Sequence, residues 1–471
     1  MIAAARIPHD AALPSLAAAL DPERLHTELA TLVEARAVPG GDAKRVRVER
    51  CRVERVRYKP GRSCLVSYTL ELRADGADES CEQLLCGRMY PPGESGSRYA
   101  KALRAPLESV GFGTPVAQLP SLDMIVWAFP NERKLTSLAR LTDDAWLRSR
   151  TLPGLVTRLR GPHWRLEHAS HAIVHYVPEH TCTVRAVLDA CRSDGLRRRS
   201  VVYGKAYYDD GGRHVGEAMR QLSQSRAVQS GMLGIARPLS YEEGDRILWQ
   251  EGLEGETLEQ RHADDRVPSA ALRRVAGAVA SLHGSPVTQL PRLRPAGVLA
   301  DVRERAQVIA YARPQLRPAL DRIVRALSKS QPHAGAAATL HGDLHPKNVF
   351  LMGDRVWLID LDAIRRGPAE HDLASWIACM LYRACLRGEP LAGALAAALE
   401  FVDGYESGRG ALVDARALDW YTAAALLSER AYRVLSRLKS GRLEILDELV
   451  DLASRASGRG LCQAAPEARL A

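Results

Sequence analysis

The spacing of apolar residues changes period several times along the chain, and each change marks an element. Leu25, Leu29, Leu32 and Val33 recur at helical spacing and predict a helix over 20–36. From Val46 to Tyr58 the pattern turns strand-like, with Val46, Val48, Val53 and Val56 set among charges. The same succession returns as a helix over Asp143–Arg160 and a strand from Trp164. From Leu258 onward the pattern is mostly helical, with one helix over Leu272–His283 stopped by Gly284-Ser285-Pro286. The later segments Leu412–Leu438 and Leu443–Ser457 are amphipathic, and Trp420, Leu426, Leu427 and Val434 read as core. A short β-prone stretch interrupts the helices, with Gly353-Asp354 as a turn between two apolar flanks. The tail after Gly458 reads as frayed.

The return of helix and strand is ordered over roughly a hundred residues, as expected of a repeated unit. Tyr58, Pro60, Cys64 and Val66 match Tyr176, Pro178, Cys182 and Val184 at a constant offset of 118. Leu84-Leu85-Cys86-Gly87-Arg88 matches Val201-Val202-Tyr203-Gly204-Lys205 at 117, and Met124–Trp127 matches Arg246–Trp249 at 122. Each unit reads as helix, strand–turn–strand, strand, helix and two strands, so the chain divides into 1–140, 141–255 and 256–471.

The interrupting stretch carries the chemistry. Leu340-His341-Gly342-Asp343-Leu344-His345-Pro346-Lys347-Asn348 is a polar loop, and the hairpin after it ends in Ile359-Asp360-Leu361-Asp362. Folding the hairpin returns Asp360 towards Asn348. Phosphoryl transfer from a nucleotide needs one carboxylate to orient the attacking hydroxyl, and an amide and a second carboxylate to hold Mg²⁺. Mg²⁺ prefers oxygen ligands and keeps waters, so two protein ligands suffice. Asp343 is therefore assigned as base, and Asn348 and Asp360 as metal ligands.

His-Gly-Asp-x-His-Pro-x-Asn followed by Ile-Asp resembles the catalytic and metal-binding loops of the aminoglycoside phosphotransferase and choline kinase superfamily. Asp372-Leu373-Ala374 stands where that family has Asp-Leu-Ala, with Lys347 where Gly is common. Asp372 is read as a helix-capping, structural residue and not a ligand, and His341 and His345 as shaping the loop by hydrogen bonds. The resemblance covers 164–455. It implies an α+β, protein-kinase-like bilobal fold with an antiparallel-sheet small lobe and a mostly helical large lobe, here preceded by a second small-lobe-like unit. It implies ATP or GTP as co-substrate, gripped by Lys205 with Glu217 as its carboxylate. The turn Pro178–Thr181 would cover the phosphates, with Thr181 contributing, while Gln250 and Gly252 would offer a C=O and an N–H to the base. In the first unit Arg88 and Ala100 replace Lys205 and Glu217, so residues 20–140 read as a degenerate small lobe outside catalysis.

Composition narrows the partners. A net charge of +9 without a nucleic-acid motif gives no nucleic-acid partner. No run approaches ~18 apolar residues, so no membrane span is expected. Nine scattered cysteines without a Cys-x-x-Cys pair point to a reducing, cytoplasmic setting. Ala11–Leu20 reads as mature sequence, and Arg197-Arg198-Arg199 as a solvated turn. His163, His168, His171, His175 and His180 read as structural or surface residues, since no Cys or carboxylate completes a zinc set. Residues 286–340 carry nine Lys or Arg against three acids, which favours a neutral or anionic small-molecule hydroxyl acceptor over a polycationic aminoglycoside. The rival readings are a kinase acting on a protein and a nucleotide-sensing or scaffold module.

Overall fold

The computed structural model describes residues 7–34, 46–76, 79–111, 113–263, 267–333, 335–439 and 441–462. The expected end of the first helix at 35–36 and the tail from 463 fall outside them. The chain forms two compact units. One comprises Met1–Asp210, Tyr241–Trp249 and Leu435–Leu443; the other comprises Gly211–Ser240, Gln250–Val434 and Glu444–Ala471. The class is α+β, with antiparallel five-stranded sheets and a mostly helical remainder.

The first unit is built on long, twisted strands. Strands β1 (Val46–Lys59), β2 (Ser63–Ala74), β3 (Cys81–Met89), β4 (Val116–Leu119) and β5 (Met124–Ala128) make a sheet in the order β1-β2-β3-β5-β4. Strands β6 (Trp164–Val177), β7 (Thr181–Arg192) and β8 (Arg197–Tyr207) follow; then β9 (Gly234–Ile235), β10 (Pro238–Glu242) and β11 (Ile247–Glu251). The second sheet runs β10-β11-β8-β7-β6, the same order read from its other edge. Registers agree as well: Tyr58 faces Cys64 and Tyr176 faces Cys182, while Leu65 faces Arg88 and Thr183 faces Lys205. Both β1 and β6 carry two bulges, at Val48/Arg50 and Val53/Arg55 and at Leu166/His168 and Ile173/His175. Bulges sharpen local twist, so both leading strands coil alike. Arg197-Arg198-Arg199 is exposed but opens β8 instead of forming a turn, and Arg199 pairs with Asp189.

In the N-terminal segment Leu13, Leu16, Leu25 and Leu29 are all buried. The helix expected over Asp143–Arg160 holds, with a π turn over Leu147–Thr151 inside it.

The second unit packs helices around two small sheets. β12 (Ala338–Leu340) pairs with β15 (Arg365–Gly367), and β13 (Val349–Met352) with β14 (Arg355–Leu358), which also takes β9 in parallel. Trp420, Leu426, Leu427 and Val434 are buried as expected, and Trp376 stacks on Phe401 at 4.5 Å. The tail is tethered at least through Cys462, because Asp419 accepts the Leu461 and Cys462 N–H groups at 2.8 Å each. Among the described residues no helix is long and apolar enough to cross a membrane.

Gly204 of β8 lies against the Trp249 ring, and a Cβ there would sit 2.6 Å from ring carbons. Trp249 is fully buried and cannot step aside. Gly204→Ala should therefore cost about 1–3 kcal/mol by overpacking. Gly244→Ala, which meets nothing within 4 Å, should be near neutral. Urea denaturation of the two variants checks this.

Candidate active site

The loop between β12 and β13 begins on a buried carboxylate. Asp372, in the first turn of the Glu370–Arg387 helix, has no exposed surface. It accepts the His341 N–H at 2.6 Å and the Gly342 N–H at 2.9 Å, and faces His283 Nε2 at 3.1 Å. His371 Nδ1 lies 3.7 Å away. The helix-capping reading is corrected: the cap position is Ala369 without a side-chain bond, and Asp372 clamps another segment instead. Burial raises its pKa, but the His283 and His371 contacts outweigh it and hold the group well below the usual carboxylate range.

Gly342 then turns the chain with φ of +82°, and a Cβ there would lie 2.1 Å from the Ala363 carbonyl oxygen. Only glycine fits both the conformation and the close approach. The next residue, Asp343, donates its N–H to His341 Nδ1 at 3.4 Å, and His341 Nε2 contacts the Ile359 carbonyl at 2.9 Å. His341 is thus read as accepting at Nδ1 and donating at Nε2, which ties the loop to the end of the hairpin. His345 is extended ahead of Pro346, as a pre-proline residue must be, and a single tight turn brings Asn348 round.

Asn348 is buried, and its Nδ2 donates to the Asp343 carbonyl at 3.0 Å. That bond fixes the amide, leaving Oδ1 as the face available to a cation. The Ile359 N–H donates to the Asn348 carbonyl at 3.0 Å, so register sets Asp360 beside Asn348. The turn between the hairpin strands is the two-residue Gly353-Asp354, with Gly353 at φ +57°. Asp360 is exposed and holds a left-handed φ of +59°, a strained choice for a non-glycine. Asp343, Asn348 and Asp360 are therefore brought together by one loop and one hairpin.

Sequence reasoning missed Arg433. It lies on the Tyr432–Arg437 helix, just after a π turn over Leu426–Ala431, and its Nη atoms sit 3.2–3.3 Å from Asp343 Oδ1. His345 Nε2 is 3.7 Å from Oδ2. Burial pushes the Asp343 carboxyl up, but His345 and Arg433 prevail and hold it low. Nothing in the amphipathic pattern of 412–438 singles out Arg433.

The other sequence-assigned residues fall as follows. In the first unit Lys205 is half-buried on β8, 5.6 Å from the Tyr207 ring centroid, and Thr181 opens β7 and is buried. In the second, Glu217 receives Gln221 Nε2 at 3.0 Å and pairs with Arg220, both on its own helix. Gln250 is near the end of β11, and Gly252 follows in the linker. No group of three His, Cys, Asp or Glu suited to a metal occurs among the described residues.

The sequence model of the phosphotransferase enzyme family matches residues 203–411. Over that segment, somewhat under half of its length, the chain is similar to the phosphotransferase enzyme family, in line with the resemblance seen in its sequence. Their class is that of small-molecule kinases acting on hydroxyl groups. No curated protein matches the chain. Among solved structures, the aminoglycoside phosphotransferase APH(4)-Ia in ternary complex with ADP and hygromycin B is 15% identical, covering 67% of this chain and 97% of its own, with a TM-score of 0.40. The macrolide 2'-phosphotransferase MphH from Brachybacterium faecium is 16% identical over 65% and 97%, TM-score 0.40. A fructosamine-3-kinase homologue from Thermobifida fusca is 18% identical over 66% and 99%, TM-score 0.39.

The Asp372 clamp has a pH signature. Its folded pKa is depressed, so its stabilisation is present above the unfolded value near pH 4 and is lost as pH falls below it. Asp372→Asn should cost on the order of 3 kcal/mol at neutral pH. The difference from wild type, measured by urea unfolding, should shrink steadily as pH drops below about 4.

Proposed function

We propose that the protein is a Mg²⁺-dependent phosphotransferase that moves the γ-phosphoryl of ATP or GTP to a hydroxyl of a small molecule. The observation that carries this is the Asp343 carboxylate, held ionised on a loop whose start is pinned by Asp372, with the Asn348 amide bonded to the Asp343 carbonyl and the hairpin end at Ile359 paired to Asn348. One amide oxygen and one carboxylate suit a hard cation that keeps waters and phosphate oxygens as its other ligands. Asn348 and Asp360 fit Mg²⁺ in this sense, and the ion, when bound, neutralises charge on the phosphates. Lys205, with Glu217 as its carboxylate, is assigned to the remaining phosphates, and Gln250 and Gly252 to the base by their backbone groups.

Asp343 accepts a hydrogen bond from the acceptor hydroxyl and aims its oxygen at the phosphorus. With a low pKa it is a strong acceptor but a weak base. A loose transition state tolerates this: the bond to the departing nucleoside diphosphate breaks first, and the hydroxyl's proton passes to Asp343 only late, as the new O–P bond forms. The acceptor is more readily neutral or anionic than polycationic. Arg292, Arg294, His333 and Arg366 line a cavity of about 490 Å³ that has no carboxylate in its wall. That cavity lies at the Ala337–Gly367 end of the β12–β15 pair, whose other end leads into the catalytic loop.

Two measurements test the assignment. Asp343→Asn should cut turnover by about 10²–10⁴-fold. It should still show thermal stabilisation by Mg-ATP, since binding stabilises by mass action; loss of both together would mean a collapsed loop and not a missing catalytic group. Asp343 must be ionised, so activity should fall only at pH below the ordinary carboxylate range. Arg433→Met removes one cause of the depression and should move the acidic limb of the pH–rate profile upward.

A further inference from the structure

The β1–β2 and β6–β7 turns are built alike, with one exception. In the first, Asp10 accepts the Tyr58 hydroxyl at 2.8 Å and the Gly61 N–H at 2.7 Å. In the second, Glu132 accepts the Tyr176 hydroxyl at 3.4 Å and the Glu179 N–H. Both corner residues are left-handed, with φ of +69° at Gly61 and +57° at Glu179. Glycine takes that conformation freely, whereas a glutamate there is strained by the order of 1 kcal/mol or more. The carboxylate cap serves both turns, so the glutamate is not needed to close the second.

What Glu179 adds is a tie to the first sheet. Its side chain is 6% exposed. It accepts Arg133 Nε at 2.8 Å and Nη2 at 2.7 Å, and Arg88 Nη1 at 2.7 Å. Arg88 occupies on β3 the register position that Lys205 occupies on β8, facing Leu65 as Lys205 faces Thr183. The first sheet's cation at that position is therefore directed to the second sheet's turn. A buried ion pair contributes little net stability against its desolvation; its attested use is to specify one arrangement over others.

We propose that Glu179 is a positioning residue that fixes the β6–β7 turn for nucleotide binding by anchoring it to Arg88 and Arg133, so the N-terminal sheet acts on the nucleotide without touching it. The inference rests on the phosphotransferase reading, in which this turn covers the phosphates. It revises the expectation that residues 20–140 stand outside catalysis.

The test compares wild type with Glu179→Gly, Arg88→Met, the double variant and Lys205→Met. It reads Mg-ATP affinity by calorimetry, acceptor-free hydrolysis, and apo-protein melting. Glu179→Gly releases the backbone strain but leaves the largely buried Arg88 without its carboxylate, so its melting should fall by several degrees, whereas the double variant, which leaves neither Glu179 nor Arg88 charged there, should melt closer to wild type. The Kd and KM of Glu179→Gly for Mg-ATP should rise about tenfold with kcat nearly unchanged. Arg88→Met should raise both similarly, and the double variant no further than either alone, the signature of one coupled contact. Additive effects, or unchanged affinity in Glu179→Gly and Arg88→Met while Lys205→Met binds weakly, would overturn the positioning role and leave phosphotransfer standing. Absence of Mg-ATP binding to wild type would overturn both.

Discussion

The catalytic loop depends on a carboxylate that never meets solvent. Asp372 takes two backbone N–H groups from His341 and Gly342 and faces two imidazoles. An isolated charge in that position would cost several kcal/mol, and a buried carboxylate survives only when hydrogen bonds meet its lone pairs. His283 carries the network further, since its Nδ1 is 2.9 Å from the Tyr405 hydroxyl. Three helices, Ser269–Gly284, Glu370–Arg387 and Leu391–Arg409, thus converge on one loop start. From there the chain of bonds is short: His341 to Ile359, Asp343 to His341, Asn348 to the Asp343 carbonyl. Asp343 and Asn348 hang from that clamp through these bonds.

Local signals in the sequence made part of this legible. The hairpin over 349–358 has a two-residue Gly-Asp turn between β-prone flanks, and turn chemistry of that kind is fixed by neighbours in the chain. The loop is equally local, because Gly342 and Pro346 dictate its path. The offsets of 118 and 117 coincide with paired registers, Tyr58–Cys64 with Tyr176–Cys182 and Arg88 with Lys205. What stayed hidden was long-range. Arg433 reaches Asp343 from 90 residues away, and His283 reaches Asp372 from 89. Such pairs leave no periodicity in the sequence. The role of Asp372 was misread for the same reason: an acid in the first turn of a helix has an ordinary local use, the helix dipole and cap.

The electrostatics of Asp343 limit what it can do. A carboxylate flanked by Arg433 and His345 stays charged and accepts hydrogen bonds strongly, yet it is reluctant to take a proton. Its contribution is then direction more than basicity, and direction is worth much only when the group itself is rigid. That links the carboxylate back to the Asp372 clamp. A looser loop would keep the same charge and lose the aim.

The two sheets of the first unit show how one scaffold can serve different ends. Both keep the strand order, the coiling bulges and a capped turn, and these features are matters of backbone geometry. They diverge at the cation, where Arg88 stands for Lys205. Lysine offers a compact, mobile ammonium; arginine offers a planar fork that holds a carboxylate in a set direction. An arginine at that place is poorly matched to following a phosphate through a reaction and well matched to holding Glu179 still. The glutamate's strained backbone has the same logic. A residue kept in an unfavourable conformation persists where its side chain is needed at one place, and here that place is the first sheet.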